Sequence, residues 1–244
     1  MEYDSWPFAP TGNIRVTYSW NPVVTEFEFG NRQYNRTQIH AKKSYELKVS
    51  GELELMDKLV DFYERHKGRS VPFYVTYYDD VKELCFFAAP LQITYFRELH
   101  DIVGGEAKIS IEVAWQTSTY PSPSINDMLP LSRGKLEYSN DWNTTIYTTS
   151  STQRRLKNQV PNQTVKVHFE GEREDRDKLI SLFNSHEMVP LKLPAYRPNH
   201  DDFYWVRFPT TITIEDKIAF EDGKKQIVGF SSDVEFDVHV DRFY

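Results

Sequence analysis

The sequence predicts a mainly β protein made of two tandem domains, each a small β-sandwich or barrel with one helix. Three observations predict this fold class. A strand–turn–helix pattern occurs twice, with Gly51 and Gly171 at the same position of each copy, 120 residues apart. Alternating apolar and polar residues on either side of each helix are typical of half-buried strands. The length of 244 residues fits two domains.

The repeat runs through a strand, a turn glycine and a helix without a gap. Residues 45–66 align with residues 165–186. Short alternating strands resemble one another by chance, but a match across three successive elements favours a duplication. The identical pairs are Gly51/Gly171, Glu52/Glu172, Asp57/Asp177, Lys58/Lys178, Leu59/Leu179 and His66/His186.

Each copy is predicted to contain one amphipathic helix after its first clear strand. Apolar residues recur there at helical spacing and form one stripe. His66 and His186 fall at the predicted helix ends, where an imidazole can bond the last carbonyls, so we expect capping rather than catalysis. The stripe comprises Leu55, Leu59, Phe62 and Tyr63 in the first copy and Leu179, Leu182 and Phe183 in the second.

Further strands are predicted downstream of each helix, where aromatic and β-branched residues cluster. Gly104-Gly105 and Asp222-Gly223 are typical of hairpin turns, and each is followed by an alternating closing strand. The expected strands cover residues 73–78, 91–95, 109–113, 203–208, 211–214 and 234–238.

A polar stretch with two prolines, residues 116–126, separates the copies. We therefore predict a first domain over residues 1–118, a linker over 119–133 and a second domain over 134–244. The segments that lead into each repeat are rich in Trp, Tyr and Thr, and we expect them to form long β-hairpin arms.

Composition excludes several classes of protein. The net charge is −7, from 36 acidic and 29 basic residues, which disfavours gripping nucleic acid or anionic membranes. A single cysteine, Cys85, excludes a disulfide framework and a multi-cysteine metal site within one chain. No secretory signal is visible, and the longest apolar stretch, residues 84–91, is too short to cross a bilayer. We expect a protein made in a reducing cytoplasm, with no membrane partner.

No constellation of residues predicts catalysis, and we expect neither an enzyme nor a bound cofactor. The best metal candidates are His200-Asp201-Asp202 and the matching Asp79-Asp80. Adjacent residues of an extended chain point in opposite directions, and Asp is also a common turn residue, so we predict no metal site. Cys85 lies in an apolar strand, where a buried and inert thiol is expected.

Aromatic residues outside the predicted cores are candidates for protein–protein contacts. The segments that precede the repeats carry several of them. The predicted subunit-interface or arm residues are Trp6, Trp20, Phe27, Phe29, Trp142 and Tyr147.

The segment Phe27-Glu-Phe-Gly-Asn-Arg-Gln-Tyr34 resembles the F-G-D-G-Y-x-Q turn of the minor tail protein M family of phages with long, non-contractile tails. The order that follows is similar too: an alternating strand, a helix whose end, Phe62-Tyr-Glu-Arg-His-Lys-Gly68, resembles an F-x-x-x-x-G pattern with one residue more, then Pro72-Phe73. The resemblance covers residues 26–115 and, less closely, 147–240. The second copy has Ser150-Ser151 in place of the Phe-Gly turn.

The resemblance implies the tail-tube fold and a structural role without an active site. Members of the family form rings at the lower end of the tail, between the tube and the hub. Hairpins from neighbouring subunits join there into a continuous β-barrel around the DNA channel, and an acidic wall lets DNA pass without sticking. The implied partners are copies of this chain and the tail tube, distal tail, hub and tape-measure proteins, at the virion tail tip.

The duplication adds a prediction about symmetry. Three chains with two domains each present six domains, so a homotrimeric ring can match both a sixfold tube and a threefold hub. A homohexamer is the second expectation. The alternative function is a carbohydrate- or host-receptor-binding module of the tail, and a hydrolase using His200, Asp201 and Asp202 is the remotest alternative.

Overall fold

A computed structural model describes residues 3–20, 23–26, 32–35, 40–76, 81–98, 101–114, 120–124, 126–130, 136–141, 144–148, 152–156, 162–186, 189–194, 203–221 and 224–238. Within these ranges the protein is mainly β, with sixteen strands and two helices. The mainly β class is therefore confirmed, with two helices among the described residues, while the duplication of a sandwich or barrel domain stays a prediction.

The elements fall into two halves in chain order. The first half contains β1 (Ile14–Ser19), β2 (Val23–Glu26), β3 (Arg32–Asn35), β4 (Lys42–Glu52), α1 (Leu53–Arg65), β5 (Phe73–Thr76), β6 (Lys82–Phe87), β7 (Gln92–Glu98) and β8 (Asp101–Val113). The second half contains β9 (Leu136–Asp141), β10 (Thr144–Thr148), β11 (Thr152–Leu156), β12 (Asn162–Gly171), α2 (Arg173–Ser185), β13 (Leu191–Pro194), β14 (Phe203–Arg207), β15 (Thr211–Glu221) and β16 (Lys224–Val238). Both halves run through four strands, one helix and four strands.

Strand pairing is the same in the two halves. In the first, β4 pairs with β1 and β8, β8 also pairs with β6 and β7, and β6 pairs with β5. In the second, β12 pairs with β9 and β16, β16 also pairs with β14 and β15, and β14 pairs with β13. Each half has a separate two-stranded hairpin, β2–β3 or β10–β11. Position by position, the two pairing schemes correspond.

A β-bulge also recurs at corresponding positions. The register between β7 and β8 shifts at Phe96/Arg97, and the register between β15 and β16 shifts at Lys217/Ile218, 121 residues later. In both hairpins the shift is one residue. Bulges bend a strand and change the direction of its side chains. A bulge at corresponding positions of the two halves is therefore a structural feature of the fold and not a local defect.

Contacts between residues divide the chain into two compact units. Unit 1 comprises Met1–Tyr18, Lys42–Ser118 and Thr213–Ser231, and unit 2 comprises Ser19–Ala41, Thr119–Ile212 and Ser232–Tyr244. Most of each predicted domain lies in one unit, while residues 19–41 and 213–231 belong to the other. The boundaries at residues 1–118, 119–133 and 134–244 stay a prediction.

The core of unit 1 is an aromatic cluster under α1. This helix buries Met56, Leu59 and Phe62, as its apolar stripe predicts. The ring of Phe62 meets those of Phe73 and Phe87 at centroid distances of 5.2 and 6.3 Å. Edge-to-face packing of this kind adds about 0.5–1.5 kcal/mol per pair to the burial itself.

The core of unit 2 forms around α2. Leu179 and Phe183 are fully buried, and the Phe183 ring lies 5.4 Å from that of Phe208. The helix also buries Arg176, whose side chain is 1% exposed and donates to the Asp177 carboxylate over 2.8 Å. An arginine inside the stripe is not predicted from the apolar pattern.

The prediction of a hairpin turn at Gly104-Gly105 is wrong. Both residues lie within β8, with Gly105 opposite Gly51 and Gly104 opposite Glu52. A Cβ at Gly104 would lie 2.5 Å from the Gly51 carbonyl oxygen, so these glycines permit close backbone approach at the strand–helix junction. The hairpin instead closes where Glu98 pairs with Asp101.

Candidate self-association surface

Strand β1 of the first half pairs with strand β15 of the second half. We call this strand pair the internal seam. The Thr17 and Thr213 hydroxyls lie 3.3 Å apart in unit 1, and the Ser19 and Thr211 hydroxyls lie 3.0 Å apart in unit 2. From the first contact to the second, the residue number rises by two on β1 and falls by two on β15. The two strands are antiparallel.

Within the part of the chain that the structure describes, the counterparts of the seam strands have an open edge. By position in the two halves, β9 corresponds to β1 and β7 corresponds to β15. β9 pairs with β12 and β7 pairs with β8, and no other strand in the described ranges pairs with either. Open strand edges present unpaired backbone groups and pair readily with another chain.

The hairpin that carries one open edge also exposes apolar side chains. Tyr95 and Phe96 on β7 are 41% and 48% exposed, and Ile102 and Val103 on β8 are 37% and 44% exposed. Consecutive residues of a strand point to opposite faces, so both faces of this hairpin end are apolar. Exposed apolar surface of this kind marks interaction sites. The sequence signal for this exposed surface is the two pairs of adjacent apolar residues. The alternating pattern used to predict strands did not identify them.

In each unit an extended segment pairs through a parallel bridge with the strand that follows the helix, β5 or β13. In unit 1, Trp6 N–H donates to the Tyr74 carbonyl over 2.7 Å, and Tyr74 N–H donates to Asp4 over 2.8 Å. In unit 2, Leu129 N–H donates to the Lys192 carbonyl over 2.9 Å, and Lys192 N–H donates back to Asp127 over 3.0 Å. The bridges are parallel in both units.

Each of these segments brings an aspartate to the histidine that ends the helix. His66 Nε2 lies 3.9 Å from the Asp4 carboxylate, and His186 Nε2 lies 3.2 Å from that of Asp127. His66 Nδ1 donates to the Phe62 carbonyl over 2.7 Å, and His186 Nδ1 lies 3.2 Å from the Leu182 carbonyl. The predicted capping role of both histidines is confirmed.

This shared arrangement has a sequence signal that the 120-residue alignment did not reach. Asp4-Ser-Trp-Pro-Phe8 resembles Asp127-Met-Leu-Pro-Leu131, at a spacing of 123 residues. The spacing differs because the connections between elements differ in length between the halves.

Two of the predicted interface residues pack inside their own unit. Trp6 lies in the aromatic cluster, 4.9 Å from the Phe8 ring and 5.4 Å from the Phe62 ring. Trp20 is 4% exposed, and its Nε1 donates to the Phe183 carbonyl over 3.3 Å. The expectation that Trp6 and Trp20 lie outside a core is wrong. Trp6 packs into the core of unit 1, and Trp20 is buried where residues 19–41 join unit 2. A role for either residue in a subunit interface stays a prediction.

The other predicted arm residues cannot be placed in the same detail. Phe27, Phe29 and Trp142 lie outside the described residues. Tyr147 lies on β10 opposite Gln153, and its side chain is outside the described part. The β2–β3 and β10–β11 hairpins occupy the segments expected to form arms. Their function as arms stays a prediction.

The structure places the thiol but not the metal candidates. Asp79, Asp80, His200, Asp201 and Asp202 lie outside the described ranges. Elsewhere in the described chain, no group of three or more His, Cys, Asp or Glu side chains is arranged to hold a metal ion. Cys85 is fully buried, and this burial raises the pKa of its thiol to about 12.

The described helices include none with the length and apolar character needed to cross a bilayer. Comparison with protein-family models gives no match to this chain, and comparison with curated proteins gives none either.

Proposed function

We propose that this protein is a structural component of a siphophage tail tip or baseplate. In this role it forms a ring around the DNA channel and joins the tail tube to the threefold hub. The resemblance of residues 26–115 to the minor tail protein M family motivates the proposal. The internal seam carries it, because there an edge of one half is already paired with an edge of the other.

The proposal takes the chain as a tandem duplication of a tail-tube-like domain. Five corresponding strand pairs, the bulge at Phe96/Arg97 and Lys217/Ile218, and the aspartate–histidine contact at each helix end support it. Independent folds rarely share an order of elements, a pairing scheme and an irregularity together. Each half is then one structural module of the ring.

Modules that associate through two different edges assemble head to tail. Such heterologous contacts close into a ring when the rotation between neighbours is correct. Three chains contribute six modules, so a homotrimer presents sixfold positions to the tube and threefold positions to the hub. A homohexamer is the second arrangement. Further partners would be the distal tail and tape-measure proteins.

The charge of the chain suits a passage for DNA. A net charge of −7 repels phosphate groups, so DNA would move through the lumen without being held. DNA is in this proposal a passing molecule and not a ligand, and the site of action is the virion tail tip.

Native mass spectrometry of the purified chain and of assembled tail tips tests the proposal. We expect a closed oligomer of three chains and a ring at the tail tip in electron microscopy. Six chains per ring would remove the trimer but keep the ring. A chain that stays monomeric over the whole concentration range and is absent from virions would overturn the proposal.

A receptor- or carbohydrate-binding module is the second candidate, and the exposed Tyr95 and Phe96 rings favour it. Aromatic rings stack on sugar faces, so either of these side chains, which lie on opposite faces of β7, would offer a stacking surface. A glycan array with the native chain and the Tyr95→Ala/Phe96→Ser variant separates the candidates. Glycan binding that the variant loses would support the receptor-binding candidate, and the ring proposal expects no binding.

A further inference from the structure

We propose that β9 of one chain pairs antiparallel with β7 of the next chain, in the register that β1 and β15 adopt within the chain. We call this junction the external seam. It rests on the proposed ring function and names the surface through which the ring assembles. The partner is a second copy of this chain.

The correspondence between the seam strands fixes the register. β1 matches β9 at a spacing of 122 residues, because Gly12 matches Gly134 and Trp20-Asn21 matches Trp142-Asn143. β15 matches β7 at a spacing of 121 residues, because their bulges fall at Lys217/Ile218 and Phe96/Arg97. Both spacings come from features that lie outside the seam contacts themselves.

Transferring the internal contacts gives a specific pair of residues. Thr17 and Thr213 of the internal seam correspond to Ser139 and Gln92 of the external seam. Both Ser139 and Gln92 are exposed in the chain, and both can hydrogen-bond across a strand pair. Ser139 of one chain is therefore expected directly opposite Gln92 of its neighbour.

The same register accounts for an exposed aromatic ring. Three residues along from the Ser139–Gln92 pair, Tyr95 comes opposite Leu136 of the neighbouring chain. The Tyr95 side chain is 41% exposed in the single chain. Directly opposed residues lie with Cβ atoms about 4.5–5.5 Å apart, so Tyr95 would lie against the neighbouring strand instead of facing solvent.

The contact is heterologous, since one chain supplies β9 and its neighbour supplies β7. A strand pair that lies on a twofold axis would need the same strand from both chains. Pairing the two open edges removes both from solvent, which is the way closed sheets avoid further association. In this arrangement β1 and β15 pair within a chain, and their counterparts β9 and β7 pair between chains.

Disulfide trapping tests the seam with two variants of the full chain that each add one cysteine, Gln92→Cys and Ser139→Cys. Copper–phenanthroline catalyses transfer of two electrons from the thiol pair to dioxygen. The native Cys85 gives little background, because it is buried and its thiol pKa is raised to about 12. Directly opposed strand residues have the separation that a disulfide needs.

We expect a covalent dimer when the two variants are mixed and none when either is oxidised alone. Thr94→Cys mixed with Ser139→Cys is the matched control. Thr94 is also exposed on β7 and is displaced by two residues, to a diagonal separation of about 7–8 Å, so the dimer should be lost. Native mass spectrometry of each sample before oxidation reports the oligomer that is being trapped.

The outcomes separate the external seam from the ring proposal. If oligomers form but the Gln92–Ser139 disulfide does not, the external seam proposal is wrong and the ring proposal still stands. Disulfide dimers of either variant alone, or a stronger dimer with Thr94→Cys, also overturn it. Samples that contain no oligomer at any concentration contradict both proposals.

Discussion

The Asp127 carboxylate lies 3.2 Å from Nε2 of His186 at the end of α2. The same carboxylate oxygen accepts a hydrogen bond from Ser124 N–H over 3.0 Å. His186 is fully buried, so Asp127 supplies a partner to a polar ring that has no access to water. One aspartate thus ties an extended segment to the C-terminal end of a helix.

Replacing this aspartate tests its contribution to folding. Asp127→Ala removes one of two oxygen partners of His186 Nε2, the other being the Ser124 carbonyl at 3.2 Å, and also the acceptor of Ser124 N–H. We expect the free energy of unfolding to fall by about 1 kcal/mol. Denaturant unfolding followed by circular dichroism measures the change. Asp4→Ala is the matched control, because Asp4 lies 3.9 Å from His66 and is half exposed. An equal or larger loss in the control would contradict this prediction.

A half-buried ion pair on β4 and β6 gives the second prediction. Lys43 Nζ lies 2.7 Å from the Glu83 carboxylate, which also accepts a hydrogen bond from the Tyr45 hydroxyl. Glu83→Ala removes the carboxylate partner of both Lys43 and Tyr45, so it should lower the free energy of unfolding by about 1–3 kcal/mol. Chemical denaturation of both proteins provides the measurement.

The control for this prediction is an exposed ion pair of the same first half. Lys42 and Glu112 lie 3.3 Å apart with both side chains largely in solvent. Exposed pairs contribute about 0–1 kcal/mol, so Glu112→Ala should change little. If Glu83→Ala and Glu112→Ala lower the free energy of unfolding equally, burial does not make one ion pair more stabilising than the other.

The buried thiol predicts a dependence of stability on pH. Burial, followed by the nearby Glu83 charge, raises the Cys85 pKa from an ordinary value of 9.0 to about 12. The folded chain therefore holds this proton more tightly than the unfolded chain. Its contribution to stability is complete below pH 9 and is lost as the pH rises towards 12.

Comparing the native chain with Cys85→Ala isolates that contribution. Both unfolding curves are measured at several pH values from 8 upwards, and the native chain should lose more stability as the pH rises. The direct measurement is thiol alkylation, which should follow global unfolding at pH 8. Rapid alkylation of the folded chain would contradict the assigned burial.

Gly104 gives the fourth prediction, at the place where β8 approaches β4. An added Cβ would lie 2.5 Å from the Gly51 carbonyl oxygen, and backbone cannot move aside as a side-chain end can. Overpacking of this kind costs about 1–3 kcal/mol, so Gly104→Ala should lower the melting temperature. Val103→Ala, at the adjacent exposed position, should leave it nearly unchanged. Calorimetry measures the melting temperatures of both variants, and an equal change in the two would contradict this prediction.

Local periodicity predicted the helices and most strands. The stripe through Leu59 and Phe62 places α1, and the alternation through Leu47 and Val49 places β4, because each pattern is contained in a few residues. Gly104 was misassigned for the opposite reason. Its environment is set by Gly51, which lies across the sheet and far away in the sequence.

The candidate surface was harder to predict than the fold. Its parts are an internal seam between Thr17 and Thr213 and two open edges, and strand pairing at such separations is not encoded in any short window. The Asp4 and Asp127 segments were missed because their spacing differs from that of the helices. Aromatic composition pointed instead to Trp20, which the structure buries.

The presence of β1 and β15 on one polypeptide makes their junction intramolecular. The covalent tether fixes the local concentration of each strand for the other, so dilution does not separate them. A joint between separate molecules has no such protection and responds to mass action. In the proposed ring, joining two modules in one chain would leave half of the joints permanent and make the other half depend on the amount of protein synthesised.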